Sequence, residues 1–180
     1  ILIESRFEKP AMGGVRQALI SRSVDAATWG GEATVSHRFG DHWLAEVSLA
    51  YVRGENRTKD HALAQQPPLE GRLSLRYERG AWSVGGLWRL VDAQDRFAVN
   101  EGNIVGQDLG PTPGFGVLSV NASWRPTRWI RFTAGVDNLF DKAYAEHLSR
   151  AGAMVAGFPP PTTRVNEPGR NWWIACNLSY

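Results

Sequence analysis

The side chains best suited to chemistry in this sequence are imidazole, thioether and thiol groups. They are His37, His42, His61, His147, Met12, Met154 and Cys176. Such groups are the preferred ligands of soft transition-metal ions when several converge on one point. His147, Met154 and His61 lie at or within long predicted connections that an arriving ion could reach, so they are weak metal candidates. Each is also explained as an ordinary polar or gap-filling loop residue, and that interpretation is favoured for each one taken alone.

A second arrangement with chemical capacity is Glu146, His147 and Ser149, which have the residue types of a hydrolase triad. Neighbouring residues on a strand point to opposite faces, which disfavours a hydrogen bond between Glu146 and His147. The sequence also has no GxSxG, HExxH or P-loop motif. We therefore expect no enzyme, and no cofactor is predicted.

The composition of the chain excludes further classes of protein. The 180 residues hold 20 Lys and Arg against 18 Asp and Glu, a formal net charge of +2, so the basic excess of a nucleic-acid-binding protein is absent. Cys176 is the single cysteine, so an internal disulfide cannot form. No apolar run approaches the ~18 residues of a transmembrane helix. The chain is therefore either soluble or crosses a membrane as strands.

Alternation of apolar and polar residues predicts an all-β fold. Leu73, Leu75 and Tyr77, for example, share one face of a strand and Arg72 and Arg76 share the other. The predicted strands are 1–7, 16–39, 42–55, 68–79, 81–97, 114–126, 128–148 and 169–180. A soluble β-sandwich and a membrane β-barrel both fit this alternation.

The connections favour the barrel. They are short at 39–42, 79–81 and 126–128 and long at 55–67, 97–113 and 149–168. Outer-membrane barrels have short periplasmic turns and long extracellular loops. Aromatic residues flank the short turns, where an interfacial girdle belongs: Phe39, Trp43, Tyr77, Trp82, Trp124 and Trp129. We therefore predict an antiparallel transmembrane β-barrel segment with Leu73 toward lipid and Arg72 toward the lumen.

The last predicted strand has an apolar face that ends on an aromatic residue. Its residues are Trp172, Ile174, Cys176, Leu178 and Tyr180. This pattern resembles the signal by which the barrel-assembly machinery recognises bacterial outer-membrane proteins. The resemblance implies that machinery as a partner.

A more specific motif is GVDNLFDKAY at residues 135–144, followed by a loop and a strand that opens with Gly-Arg. It resembles the penultimate-strand signature of TonB-dependent receptors. The matching residues are Asn138, Leu139, Phe140, Asp141, Tyr144, Gly169 and Arg170. The segments 102–117, 145–158 and 163–173 are similar to the copper-receptor branch of that family.

The resemblance implies a Gram-negative outer-membrane protein with a barrel of about 22 strands around a plugged lumen. These residues, about eight strands, would be the C-terminal part of that barrel. The plug domain and TonB box would lie upstream, outside the chain. Implied partners are outer-membrane lipid and the TonB complex, and the implied transported ligand is copper.

Two alternatives stay open. One is a TonB-dependent receptor for a siderophore or another metal chelate, and the other is a small free-standing barrel with lipid hydrolase activity. A receptor segment should form an open, curved sheet in which residues 1–7 do not pair with 169–180, because its end strands would have other partners. A closed eight-stranded cylinder would favour the small barrel.

Overall fold

The computed structural model describes residues 2–8, 16–103, 106–157 and 159–179. Its strands are β1 (Leu2–Glu8), β2 (Arg16–Arg22), β3 (Ala26–Phe39), β4 (Trp43–Asn56), β5 (His61–Ala62), β6 (Glu70–Arg79), β7 (Trp82–Val91), β8 (Glu101–Gly102), β9 (Phe115–Thr127), β10 (Ile130–Asp137) and β11 (Asn171–Leu178). Among the described residues, no helix has the length and apolar character needed to span a membrane.

The main sheet is an antiparallel meander in the order β11-β10-β9-β7-β6-β4-β3, with β5 paired to β4 outside that path. A smaller antiparallel sheet has the order β2-β1-β8. Within the described ranges β1 pairs with β2 and β8 and not with β11. The prediction of an open sheet, in which the first and last strands do not pair with each other, is confirmed.

One face of the main sheet is apolar across every strand boundary. Leu73 lies opposite Val47 on β4 and Trp88 on β7, and Trp88 lies opposite Leu118 on β9. The side chains are nevertheless exposed, with Leu73 at 44% and Val47 at 50%. In the described part of the chain no second sheet covers this face, so it is not the interior of a β-sandwich.

The opposite face is polar and bounds the cavities along the sheet. Arg72 alternates with Leu73 and, with Glu32 and Ser48, borders a cavity of about 420 Å³. Further along this face, the hydroxyls of Ser83 on β7 and Ser123 on β9 lie 2.7 Å apart. The two faces therefore separate apolar from polar side chains as the alternation predicts.

Aromatic side chains form a band beside the short turns. Phe39 and Trp43 stack with ring centroids 6.0 Å apart, and Tyr77 lies 4.9 Å from Trp43. Trp82 and Trp124 stack at 5.4 Å. The band lies on the apolar side at the turn end of the strands, as expected for an interfacial girdle.

The predicted strand 16–39 is in fact two strands, β2 and β3. The reason lies at Asp25, whose main-chain N–H donates to the Thr58 hydroxyl at 2.8 Å and whose carbonyl accepts from the N–H of Arg57 at 2.8 Å. Because these groups bond to a turn, they cannot continue the ladder. As a result β2 pairs with β1 in the smaller sheet.

Two other predicted strands were too long. The strand 81–97 ends at Val91, because the chain turns away and Gln94 pairs with Thr112 instead. The strand 128–148 ends at Asp137, because Asn138 has a φ of 50° that a strand cannot contain. Residues 138–148 therefore form a loop.

Candidate functional site

Three long connections meet at the end of the sheet opposite the short turns. The first spans residues 57–69, the second 92–114 and the third 138–170. Asp108 of the second connection joins all three, with Gln65, Thr112 and His147 around it. We call these four residues the loop hub.

Asp108 is completely buried. Its Oδ1 accepts hydrogen bonds from the main-chain N–H and side-chain Nε2 of Gln65, at 3.1 and 3.0 Å. Its Oδ2 accepts from the N–H of Ala98 at 2.9 Å. Burial alone would raise the pKa of Asp108, but the His147 imidazole and these donors outweigh it and hold the pKa below its ordinary value.

His147 brings the third connection into the hub, and its side chain is fully buried. Its Nδ1 shares a hydrogen bond of 3.0 Å with the hydroxyl of Thr112. Its Nε2 lies 3.4 Å from Oδ1 of Asp108 but is not aligned for a hydrogen bond. Arg164 donates to the carbonyls of His147 at 3.1 Å and Gly110 at 2.8 Å, which ties 138–170 to 92–114 a second time.

A second polar cluster attaches the smaller sheet. The ammonium of Lys59 contacts the carboxylates of Glu4 on β1 and Glu101 on β8, the latter at 2.5 Å. These hydrogen bonds, with Glu101 the larger contributor, raise the pKa of Lys59. Arg22 lies 3.1 Å from Glu4. The first connection is thus bound to β1 and β8 of the smaller sheet.

The third cluster lies where the polar face meets the third connection. Arg89 on β7 donates to Glu70 on β6 at 2.6 Å and makes a two-pronged contact with Glu146. Its guanidinium also lies 5.4 Å from the ring centre of Phe115, which packs on Tyr144 at 4.3 Å. The loop that contains Glu146 is therefore folded inward over the sheet.

The three metal candidates do not come together. His147 is buried in the hub, whereas Met154 is 89% exposed. His61 has its Nδ1 2.7 Å from the carbonyl of Ala62 and its Nε2 3.4 Å from Glu101. Across residues 2–8, 16–103, 106–157 and 159–179, no group of three or more His, Cys, Asp or Glu side chains is arranged to hold a metal ion.

The hydrolase-like set does not form a triad. Ser149 donates to Glu167 at 2.7 Å, and its oxygen accepts from the N–H of Glu146 at 3.0 Å. The carboxylate of Glu146 is bound to Arg89, and His147 faces Thr112. Because residues 138–148 are a loop, the argument from opposite strand faces did not apply, and the three side chains are separated by their individual partners instead.

The family-signature residues form a clasp between β10 and β11. Asn138 is almost fully buried, and its side chain donates to the carbonyl of Lys142 at 2.9 Å and accepts from the N–H of Lys142 at 2.8 Å. Asp141 has a φ of 54° and accepts from the N–H of Arg170 at 2.8 Å. A Cβ on Gly169 would lie 2.7 Å from Oδ1 of Asp141, so a larger residue would displace the carboxylate that accepts from Arg170.

The remaining signature residues differ in burial. Leu139 extends the ladder between β10 and β9 by donating from its N–H to the carbonyl of Leu118 at 2.8 Å, whereas Phe140 is 76% exposed. On β11, Trp172, Ile174 and Leu178 are each more than two-thirds exposed and share one face. Tyr180 of the predicted assembly signal lies outside the described residues.

Comparison with known proteins assigns the fold to a family. Residues 7–139 match the family model "TonB dependent receptor-like, beta-barrel". The chain belongs to the TonB-dependent receptor β-barrel family. That family places it in the Gram-negative outer membrane, with the short turns on the periplasmic side and the long connections outside the cell.

Individual relatives fall into two groups. The copper transporter OprC superimposes with a TM-score of 0.89 and 44% identity, covering 99% of this chain and 26% of that one. The ferric enterobactin receptor PfeA of Pseudomonas aeruginosa gives a TM-score of 0.67 at 21% identity, covering 86% and 22%. The ferrienterobactin receptor of Escherichia coli K12 is 29% identical over 90 residues, which are 42% of this chain and 11% of that receptor.

These relatives are named as transporters and receptors, and the chain spans about a quarter of the two solved structures.

Sequence reasoning missed Asp108 and Arg89. Asp108 binds Gln65, which is 43 residues away, and Arg89 binds Glu146, which is 57 residues away. Asp108 lies in the Gly- and Pro-rich segment 102–116, Arg89 alternates with the apolar residues of its strand, and no local spacing marks either one as a site residue. The single available signal was that Asp108 is an acidic residue in a long predicted connection. Such residues are too common to indicate a site.

Proposed function

We propose that this chain is the C-terminal part of the barrel wall of a TonB-dependent transport receptor that takes up copper. One observation carries the choice of cargo: identity to the copper transporter OprC is 44% over 99% of the chain, against 21% to the enterobactin receptor PfeA. In this proposal the plug domain and TonB box lie in upstream sequence. The TonB complex, outer-membrane lipid and the barrel-assembly machinery are the partners.

We assign these residues the role of wall and outer cap, and the geometry supports this role. The apolar face of the main sheet supplies a lipid-facing surface, and the polar face supplies a hydrated wall. The loop hub and the Arg89 cluster hold the long connections together above that wall. The described residues form no assembled metal site or triad, so we assign metal capture to other parts of the receptor and propose no enzymatic activity.

The cargo is tested with the full-length receptor in cells grown under copper limitation. We expect copper accumulation that requires both the receptor and TonB, because transport in this family is energised through TonB. Receptor-dependent accumulation that persists without TonB would refute the mechanism. Growth on ferric enterobactin without copper accumulation would refute the cargo and support the siderophore alternative, which the ferrienterobactin receptor match favours.

A further inference from the structure

Arginines at the short-turn end of the polar face stand apart from those elsewhere on it. Arg125 of β9, Arg128 of the turn and Arg131 of β10 border one cavity of about 440 Å³, together with Trp129, Asn177 and Ser179. Within the described part of the chain, none of the three arginines has a carboxylate within ion-pair distance. Arg128 instead lies 4.2 Å from the ring centre of Trp129.

Three other arginines of the same face are paired. Arg72 lies 2.5 Å from Glu70, Arg76 lies 2.5 Å from Glu78, and Arg89 contacts both Glu70 and Glu146. In the described residues the chain therefore supplies carboxylates to Arg72, Arg76 and Arg89 but not to the arginines of this cavity. Like charges directly opposite on adjacent strands destabilise a sheet, and an external anion would relieve this repulsion.

The backbone brings two of these arginines together. Ile130 pairs with Thr127 and Phe132 with Trp124, so the register shifts by one residue between them. Arg125 lies within this β-bulge, opposite Arg131. Bulges redirect side chains and are frequent beside functional sites. Arg131 also pairs with Asn177 of β11, which adds an amide donor to the cavity.

We propose that this cavity, the arginine mouth (Arg125, Arg128, Arg131, Asn177 and Ser179), binds an acidic peptide segment at the periplasmic entrance of the lumen. Guanidinium groups bind carboxylates with two parallel hydrogen bonds, so two or three arginines match a segment with several Asp or Glu side chains. Arg125 and Arg131 project from the polar face, away from the lipid-facing side, so a protein segment is favoured over a lipid headgroup. This inference rests on the proposed barrel orientation.

The test places a photo-crosslinking amino acid at Asn177 of the full-length receptor in intact outer membranes. We expect a crosslinked peptide that carries at least two carboxylates. The double variant R125E/R131E should lower its yield by about tenfold or more, the loss expected when charge-assisted hydrogen bonds are removed. The variant R125K/R131K should retain most of the yield, because it keeps the charge. R76Q is the matched control, since Arg76 lies on the same face but is paired with Glu78.

Crosslinks to lipid alone, to a peptide without carboxylates or to nothing would overturn the proposal, as would a yield that R125E/R131E leaves unchanged. If that variant does not fold, as judged by heat-modifiable electrophoretic mobility, high salt on wild-type membranes replaces it. Salt must then lower the yield by screening the charges, and an unchanged yield overturns the proposal. Copper accumulation is measured separately, so an acidic crosslink without copper uptake refutes the cargo and leaves the arginine mouth intact.

Discussion

Replacing Asp108 with asparagine should loosen the three long connections together. The carboxylate accepts three hydrogen bonds in a fully buried position, from the main chain and side chain of Gln65 and from the main chain of Ala98. An amide has one acceptor oxygen and one donor nitrogen. If the oxygen keeps the bonds to Gln65, the nitrogen must face the N–H of Ala98, and that donor loses its partner.

The size of the effect follows from these contacts. A buried donor without a partner costs about 1–3 kcal/mol, and the neutral amide recovers part of this because it is cheaper to bury than a carboxylate. We expect a net loss of about 2 kcal/mol in the free energy of loop opening. Amide hydrogen exchange at Gln65 and Ala98 should then accelerate by about 30-fold, since 1.4 kcal/mol corresponds to a factor of ten.

The assay is hydrogen exchange on the full-length receptor in detergent. D95N is the control, because Asp95 lies in the same connection, is exposed and has no recorded partner in the described chain. An acceleration below about threefold at both amides, under 1 kcal/mol, would refute the reasoning.

Lowering the pH provides an independent test of the role of the Asp108 carboxylate. The pKa of Asp108 is lower with the loops closed than its ordinary value of 3.8. Its stabilising contribution is therefore complete above about that pH and is lost as the pH falls through the lowered pKa. The protection factors of the Gln65 and Ala98 amides, which correct for the pH dependence of intrinsic exchange, should fall in the wild type as Asp108 is protonated, and D108N should lack that component.

Three further predictions concern the wall and its end strand. E146Q removes the charge paired with Arg89. It should destabilise the folded loop of residues 138–150 by about 1–2 kcal/mol, since the pair is only partly buried. Limited proteolysis that cleaves this loop no faster than in the wild type would contradict the prediction. G135A places a Cβ 2.5 Å from the Trp173 ring and should lower the free energy of unfolding by about 1–3 kcal/mol, measured as a lower urea midpoint. G31A is the control, because a Cβ there meets nothing within 4 Å and should have little effect. Deleting Tyr180, or making it charged, should lower folded receptor in outer-membrane fractions, and normal levels would count against the assembly signal.

The parts of the fold that sequence predicted are those set by local periodicity. The placement of Leu73 opposite Val47 and Trp88 follows from alternation within each strand, because a period of two fixes which face a side chain occupies. The strand end at Asn138 was missed because its positive φ depends on bonds to Lys142 and Pro168, and a side chain that bonds to backbone competes with the ladder.

The loop hub could not be predicted for a different reason. Gln65 is 43 residues from Asp108 and His147 is 35 residues from Thr112, and their contact depends on three connections of irregular backbone folding against one another. The signature residues were recognised as a motif, but their structural role as a clasp became visible only in the contact between Asp141 and the Arg170 N–H. Resemblance identified the family, and the physical reason for the motif came from geometry.

The two ends of the polar wall differ in how their charge is balanced. At the outer end the chain supplies both partners: Asp108 has Gln65 and His147, Lys59 has Glu4 and Glu101, and Arg89 has Glu70 and Glu146. At the periplasmic end the chain pairs Arg76 with Glu78, but the arginine mouth has donors without acceptors among the described residues. If the wall had only to fold, pairing the charged side chains at both ends would stabilise it. The chain therefore neutralises the charges of its outer end with its own ion pairs. At the inner end, we infer that an anionic partner neutralises the arginine mouth.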